Sequence, residues 1–126
     1  THARRRVKLH HVALGARDVE RVATFYRSAL GLAEVKRHFT SAGELRSIWL
    51  DLGGALLMVE RTACERARLE GIGAGPFLLA VRVPREEHAA WEARLEEHGA
   101  PIESRTQFSS YARDPEGNRI AISHYE

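Results

Sequence analysis

The sequence has little cysteine, methionine or proline, and it has no long hydrophobic run. It contains one cysteine, one methionine and four prolines among 126 residues. The single cysteine, Cys64, has no partner for an intrachain disulfide, so nothing indicates an oxidising compartment. No segment approaches the roughly 20 consecutive apolar residues of a transmembrane helix, and no signal-peptide core is visible. We therefore expect a cytoplasmic protein with no membrane partner.

Charge of one sign is also scarce, since the formal net charge is only +2 although 29% of the residues are charged. The one dense basic cluster, Arg4 to Arg6 with Lys8, precedes the first apolar run and is typical of a solvated terminus. A nucleic-acid site generally needs a basic face, with aromatic side chains where it binds single strands. The composition therefore predicts no nucleic-acid partner. A chain of 126 residues with 44% hydrophobic side chains predicts one compact domain over residues 1–126.

The first half of the chain predicts a strand, a helix and three further strands. The helix is predicted from Val19 to Leu30, because apolar residues recur there at helical spacing between the N-cap Asp18 and the terminating Gly31. Glycines 53 and 54 form a tight-hairpin dipeptide between the last two strands. The strands are predicted over residues 8–16, 32–39, 46–52 and 55–60.

The same pattern restarts after a charged, glycine-rich segment at residues 61–75, which is typical of a linker. The glycines at 71–75 do not follow a strand and open a helix, so a phosphate-binding loop is not expected there. A strand is predicted over 77–83, a helix from about Glu86 to Gly99, and strands over 101–105, 107–113 and 119–125.

The two halves overlay as copies of one βαβββ unit. The hairpin at 51–54 falls on the hairpin at 114–117, and helix-ending Gly31 falls on Gly99. We predict an α+β fold with module one at about 7–60, the linker at about 61–75 and module two at about 76–126.

Two motifs carry a family resemblance. The opening, His11-Val-Ala-Leu-x-x-x-Asp18-Val-x-Arg21-x-x-x-Phe25-Tyr26-x-x-x-Leu30-Gly31, and the closing hairpin, Tyr111-x-x-Asp114-Pro-Glu-Gly-Asn-x-Ile120, resemble the vicinal oxygen chelate superfamily. This superfamily includes glyoxalases, bleomycin-resistance and fosfomycin-resistance proteins and extradiol dioxygenases. The resemblance implies a half-open, cup-shaped mixed sheet with helices on its outer face, a small-molecule site inside the cup and a homodimer. Enzymatic members hold a divalent metal in the cup, whereas bleomycin-binding members have none.

The metal positions that the resemblance implies are mostly lost in this chain. The first falls on His11, which matches, but the other three fall on Met58, Leu78 and Ala121. Because a divalent ion bound through nitrogen and oxygen needs about three protein ligands, we expect no cofactor. The alternative is a Zn, Ni, Mn or Fe ion held by His11 with an atypical acid, Glu60 or Asp51.

The two-residue period of a strand predicts which side chains face the cup. His11 is either a structural histidine or a metal ligand and base, and Trp49 either lines the cup or fills the core. The arginines are either solvated rim charges or, if two converge, a fork-shaped anion site. Candidate catalytic residues are His11, Glu60 and Tyr111, and candidate ligand-binding residues are Trp49, Met58, Arg82, Ser109, Tyr111, Arg113 and Arg119.

Three functions follow from this pattern. The favoured one is a metal-independent protein that binds a small aromatic or anionic molecule. The alternative is a metal-dependent lyase, isomerase or thiol transferase that uses His11 with Glu60 for proton transfer. The third is a dimeric partner domain whose cup is vestigial.

Overall fold

The computed structural model describes residues 8–64 and 76–126. The basic cluster at 4–6 and the predicted linker from residue 65 onwards lie outside the described residues. Module one forms one four-stranded sheet in the order β1-β4-β3-β2, in which β1 and β4 are parallel and the other pairs antiparallel. Its elements are β1 (His11–Ala16), α1 (Val19–Leu30), β2 (Glu34–Phe39), β3 (Leu45–Asp51) and β4 (Leu56–Arg61).

Module two repeats this topology with the sheet order β5-β8-β7-β6, again with the first pair parallel. The predicted α+β fold of two βαβββ units is therefore confirmed. The elements are β5 (Leu79–Arg82), a 3₁₀ turn (Arg85–Glu87), α2 (His88–Glu97), β6 (Ser104–Arg105), β7 (Ser109–Arg113) and β8 (Arg119–Ser123).

Helix α1 has the bounds that its sequence predicts, because both ends carry strong local signals. The Asp18 side chain accepts a hydrogen bond of 3.1 Å from the backbone N–H of Arg21 and so caps the first turn. At the other end Gly31 adopts a left-handed conformation with φ of 70°, which a side chain would strain. The helix buries its apolar side against the sheet of module one: Val19, Val22, Ala23, Phe25, Tyr26, Ala29 and Leu30.

Several predicted bounds of helices and strands were wrong in both modules. Helix α2 begins at His88 after a 3₁₀ turn and ends at Glu97, and Leu95 is its one buried residue. Several alanines of this helix are exposed, so the spacing of its apolar residues does not identify a buried face and does not predict where the helix begins and ends. Strand β1 starts at His11 rather than Lys8, and β6 has only two residues. Arg61 belongs to β4 rather than to the linker.

The closing hairpin of module two is fastened to the helix of module one. The buried Tyr26 hydroxyl donates a hydrogen bond of 2.9 Å to Oδ2 of Asp114. The carboxylate of Glu116 accepts the backbone N–H groups of Arg17 and Asp18, each at 2.7 Å, just where α1 begins. These bonds join the modules on their helix side, where residues of both form one hydrophobic core. The opposite face of each sheet is thereby left to build the cup.

No helix within residues 8–64 and 76–126 is long and apolar enough to cross a membrane.

Candidate functional site

The strand register arranges the cup face of module one in three rows. Val12 and Leu14 pack against the core, so the alternate residues of β1 face the other way, as predicted. The Cα partners across β1, β4 and β3 form these rows: His11, Leu56 and Asp51; then Ala13, Met58 and Trp49; then Gly15, Glu60 and Ser47.

Module two has the matching face. Ile120 and Ile122 of β8 are buried in the core, and the residues between them therefore line the cup face. Its middle row, Ala80, Ala121 and Tyr111, corresponds to Ala13, Met58 and Trp49 of module one. Each module thus places one aromatic ring beside a small or flexible side chain at the centre of its face. The flanking rows are Arg119 with Arg113, and Arg82 with Ser123 and Ser109.

Trp49 lies against His38, a residue that the sequence reasoning missed. His38 is the Cα partner of Ser47, so it shares the cup face with Trp49, and the two ring centroids are 4.5 Å apart. Within the described parts of the chain, Nε1 of Trp49 and Nε2 of His38 are buried and have no hydrogen-bond partner. A buried polar atom without a partner costs about 1–3 kcal/mol. The cup face of module one therefore carries two adjacent rings, each with a buried polar atom that lacks a partner among the described residues.

His11 is exposed at the outer row and meets another histidine there. Nδ1 of His10 lies 2.8 Å from Nδ1 of His11, although strand alternation predicts opposite directions. The rings meet because His10 precedes β1 and is not held by the pleat. Asp51 shares the row of His11, but the two lie two strands apart, about 10 Å between Cα atoms. Its carboxylate accepts the backbone N–H of Gly53 at 2.8 Å.

Glu60, the acid expected to assist His11, lies at the other end of the face. It is the Cα partner of Gly15, four residues along β1 from His11, and four residues of strand span about 13 Å. Over residues 8–64 and 76–126 no three histidine, cysteine, aspartate or glutamate side chains come close enough to hold a metal ion. The three implied positions at Met58, Leu78 and Ala121 offer no hard or borderline donor. The donor set of this face therefore does not fit the divalent metal that the resemblance implies.

The three candidate arginines have different surroundings, and Arg82 is separated from the other two. Arg113 is 9% exposed, and its guanidinium donates to Oε1 of Glu103 and to the carbonyl of Gly117, so it fastens the closing hairpin. Arg82 is exposed in the row of Ser123, four residues of strand away from the row of Arg119. Arg113 lies opposite Arg119 in the register, but its guanidinium is bound to Glu103 and Gly117, so the fork-shaped anion site stays a prediction.

Arg119 stands instead over an aromatic ring. Its guanidinium carbon is 4.6 Å from the ring centroid of Tyr111 and 5.9 Å from that of Phe77. The positive charge held over these rings is attracted by their electron-rich faces. Ser109 donates to Oγ of Ser123 at 2.8 Å, which turns both hydroxyls towards each other across β7 and β8.

A further cleft lies between the modules, and its lining does not include Trp49, Met58 or Tyr111 at the centres of the cup faces. It has a volume of about 650 Å³ and lies along β5 and the ends of β1 and α1. Its walls are mainly apolar and include Val12, Leu30, Leu79, Val81 and Trp91. The two tryptophans of the chain therefore report on different places, Trp49 on the cup and Trp91 on this groove.

Comparisons with known proteins agree with this architecture. Solved structures that resemble the chain include a mutant of the fosfomycin resistance protein FosX from Listeria monocytogenes, in complex with Mn(II) and 1S,2S-dihydroxypropylphosphonic acid. It superposes with a TM-score of 0.79 and 15% identity, over 94% of this chain and 93% of that one. Lactoylglutathione lyase from Agrobacterium tumefaciens gives a TM-score of 0.69 and 21% identity, over 95% of each chain. A glyoxalase family protein from Enterococcus faecalis gives 0.72 and 23%, over 92% of this chain and 96% of that one.

A comparison with curated proteins found no match. The family model described as the Glyoxalase/Bleomycin resistance protein/Dioxygenase superfamily matches residues 8–122, which is most of the chain. The protein therefore belongs to the Glyoxalase/Bleomycin resistance protein/Dioxygenase superfamily.

Proposed function

We propose that this protein binds a small aromatic or anionic molecule in its cup and needs no metal to do so. The observation that carries the proposal is the adjacent, buried and unpartnered pair of Trp49 Nε1 and His38 Nε2. An oxygen acceptor on a ligand would receive the indole N–H, and the imidazole nitrogen would serve as donor or acceptor according to its tautomer. Met58, opposite Trp49, supplies a flexible apolar wall for the rest of the ligand.

Module two supplies complementary chemistry. The Tyr111 ring with Arg119 above it offers a flat surface and a cation, which suit an aromatic ring and an acid group. The donor set supports a metal-free mode of binding, since residues 8–64 and 76–126 bring no group of three metal-binding side chains together around His11. An enzymatic role for His11 and Glu60 would need the two to act about 13 Å apart along the strands, which one proton transfer cannot span.

Two single-tryptophan proteins test where a ligand binds. Trp91→Phe leaves Trp49 as the only tryptophan and reports on the cup, whereas Trp49→Phe leaves Trp91 and reports on the groove. Each is titrated with benzoate, cinnamate and phenylphosphonate while tryptophan fluorescence is recorded. We expect a saturable change for at least one probe in the Trp91→Phe protein only. A saturable change confined to the Trp49→Phe protein would move the site to the groove and refute the cup.

Substitution of His38 tests the polar half of the same site. In the Trp91→Phe background, His38→Phe keeps a ring against Trp49 and removes the buried nitrogen. We expect the dissociation constant of the best probe to rise about tenfold, because one hydrogen bond to the ligand is lost. The matched control is His98→Phe, on the exposed end of the second helix. Unchanged affinity in the His38→Phe protein would contradict the proposed role of His38.

Metal content separates this proposal from the enzymatic alternative. Protein purified without chelators is assayed for Zn, Ni, Mn and Fe, and the assay is repeated on His11→Ala. We expect far less than one metal per chain in both. Near-stoichiometric metal that disappears in the His11→Ala protein would support a metal-dependent lyase, isomerase or thiol transferase instead.

A homodimer belongs to the proposal as well. The outer strands β1 and β5 each have one edge that no other described strand covers, and uncovered edges favour pairing with a second chain. Light scattering coupled to size exclusion is expected to give twice the 14.2 kDa of one chain. A mass of one chain at micromolar concentration would refute the dimer.

A further inference from the structure

A line of hydrogen bonds crosses module two on the side away from the cup. Nδ1 of His124 lies 2.8 Å from Nδ1 of His88, and Nε2 of His88 lies 2.7 Å from Oγ of Ser110. Ser110 is buried and also bonds to Oε2 of Glu92. Arg105 pairs with both carboxylate oxygens of Glu92, at 2.8 and 3.1 Å. The line thus joins the end of β8 to helix α2 and ends on a carboxylate.

The protons along this line have one consistent arrangement at neutral pH. Hydrogen bonds from Arg105, first of all, hold the pKa of Glu92 below its ordinary value, so its carboxylate only accepts. Ser110 therefore donates its single proton to Glu92 and accepts from Nε2–H of His88. A neutral His88 then has a bare Nδ1, which accepts from Nδ1–H of His124. A neutral His124 is left with its lone pair on Nε2.

His124 lines a cleft of about 460 Å³ near the C-terminus. The Phe108 ring packs edge-on against His124, with centroids 5.6 Å apart, and against Tyr125, with centroids 5.1 Å apart. Arg85 contributes a cation to the same cleft, Gln107 an amide and Glu126 a carboxylate. Among the described residues Nε2 of His124 has no hydrogen-bond partner, so it is a neutral acceptor that the cleft offers.

When Nε2 of His124 takes up a proton, the resulting positive charge can move to His88, beside the Glu92 carboxylate. As Nε2 gains the proton, the Nδ1 proton of His124 passes to Nδ1 of His88. His124 is then neutral again, and His88 is an imidazolium bonded to Ser110, with Nε2 3.7 Å from the Glu92 carboxylate. A charge formed beside an opposite charge is favoured over one left alone.

We propose that this cleft is a second ligand site, which binds phenols and takes the hydroxyl proton on Nε2 of His124. The O–H bond of the phenol breaks, the Nε2–H bond of His124 forms, and the charge moves to His88 as described. The phenolate stays beside Arg85, with its ring among Phe108 and Tyr125. This site rests on residues of the 3₁₀ turn, α2, β7 and the segment after β8, and it does not depend on what the cup binds.

The first test examines the unmodified protein and needs no ligand. Nitrogen-15 NMR of the histidine rings distinguishes the two neutral tautomers. At neutral pH we expect His124 to carry its proton on Nδ1 and His88 to carry its proton on Nε2. The opposite assignment for His124 would place a donor on Nε2, which could not take the hydroxyl proton, and would overturn the proposal.

The second test uses 4-nitrophenol, whose absorbance differs between phenol and phenolate. We expect the protein to bind the phenolate form. The affinity should be at least tenfold lower in His124→Gln, because a charge-assisted hydrogen bond is lost. His98→Gln is the matched control, since His98 is exposed and its Nδ1 bonds only to the backbone of its own helix. Equal binding by His124→Gln would overturn the proposal. Loss of binding in Trp49→Phe, with His124→Gln unaffected, would assign phenols to the cup and also overturn it.

Discussion

The hydroxyl of Tyr26 donates a hydrogen bond to Oδ2 of Asp114 across 88 residues of sequence, and both side chains are buried. The same carboxylate accepts the backbone N–H groups of Glu116 and Asn118, each at 2.9 Å, and the side-chain amide of Asn118 at 2.7 Å. Asp114 therefore shapes the closing hairpin and attaches it to helix α1. Because this attachment occupies the helix side, it leaves the opposite faces of both sheets available for the cup.

Loss of the Tyr26 hydroxyl is expected to destabilise the fold. Tyr26→Phe keeps the ring in the core but removes one donor from a buried carboxylate, which costs about 1–3 kcal/mol of unfolding free energy. Urea denaturation measures it. Tyr125→Phe, at a residue 66% exposed, is the control and is expected to change little. A loss below the experimental error in Tyr26→Phe would contradict the role of this bond.

Alkaline pH is expected to act through the same side chain. Burial first of all, and then the Asp114 carboxylate, raise the pKa of Tyr26 well above its ordinary value. The unfolded chain releases this proton near pH 10, whereas the folded chain retains it, so the stabilisation is present below about pH 10 and lost as pH rises. Stability measured from pH 9 to 11 should fall less steeply in Tyr26→Phe than in the wild type. Identical slopes would show that Tyr26 titrates alike in both states.

The carboxylate of Glu116 is expected to stabilise the start of α1. It receives the backbone N–H groups of Arg17 and Asp18, the two residues that lead into the first turn of the helix, and so holds the N-cap in place. Glu116→Ala should cost about 0.5–2 kcal/mol, the range found for loss of a helix cap. Glu97→Ala, at the exposed end of α2, serves as the control in the same thermal or urea experiment. A larger effect at Glu97 than at Glu116 would contradict this account.

Acid pH is expected to weaken the attachment of α2. The hydrogen bonds from Arg105, followed by those from Ser110, lower the pKa of Glu92. A lowered pKa gives stability that is present above the unfolded value of about 4.3 and lost as pH falls through the folded value. Glu92→Gln should therefore show a shallower loss of stability below about pH 5 than the wild type. An equal loss of unfolding free energy below pH 5 in the two proteins would contradict the role of the ion pair between Glu92 and Arg105.

Most of the fold could be predicted from the sequence, because the strongest indications of helix and strand ends come from neighbouring residues. Asp18 and Gly31 mark the ends of α1 by their own hydrogen-bonding and backbone preferences, so the helix was predicted with its true bounds. Helix α2 lacks such signals at its start, since its N-cap residue Glu87 makes no capping bond through its side chain. Its 3₁₀ turn was consequently predicted as part of the helix.

The residues of the candidate sites could be predicted only in part, because their contacts depend on strand register and on residues far apart in the sequence. Met58 was predicted on the cup face, and the register puts it there because β3 and β4 pair without interruption, whereas the sequence left Trp49 open between the cup and the core. His38 was missed because β2 has register irregularities beside it, which break the two-residue alternation. The line from His124 to Glu92 joins residues 36, 22 and 18 positions apart, and such contacts leave no local pattern.

The most direct test of the central claim is a ligand titration before and after removal of metal. The Trp91→Phe protein, in which Trp49 is the only reporter, is titrated with the probe that binds best among benzoate, cinnamate and phenylphosphonate. The titration is repeated after exhaustive dialysis against EDTA. A metal-independent cup predicts the same dissociation constant and the same change in Trp49 fluorescence. Binding that disappears with EDTA and returns with Mn(II) or Zn(II) would contradict it.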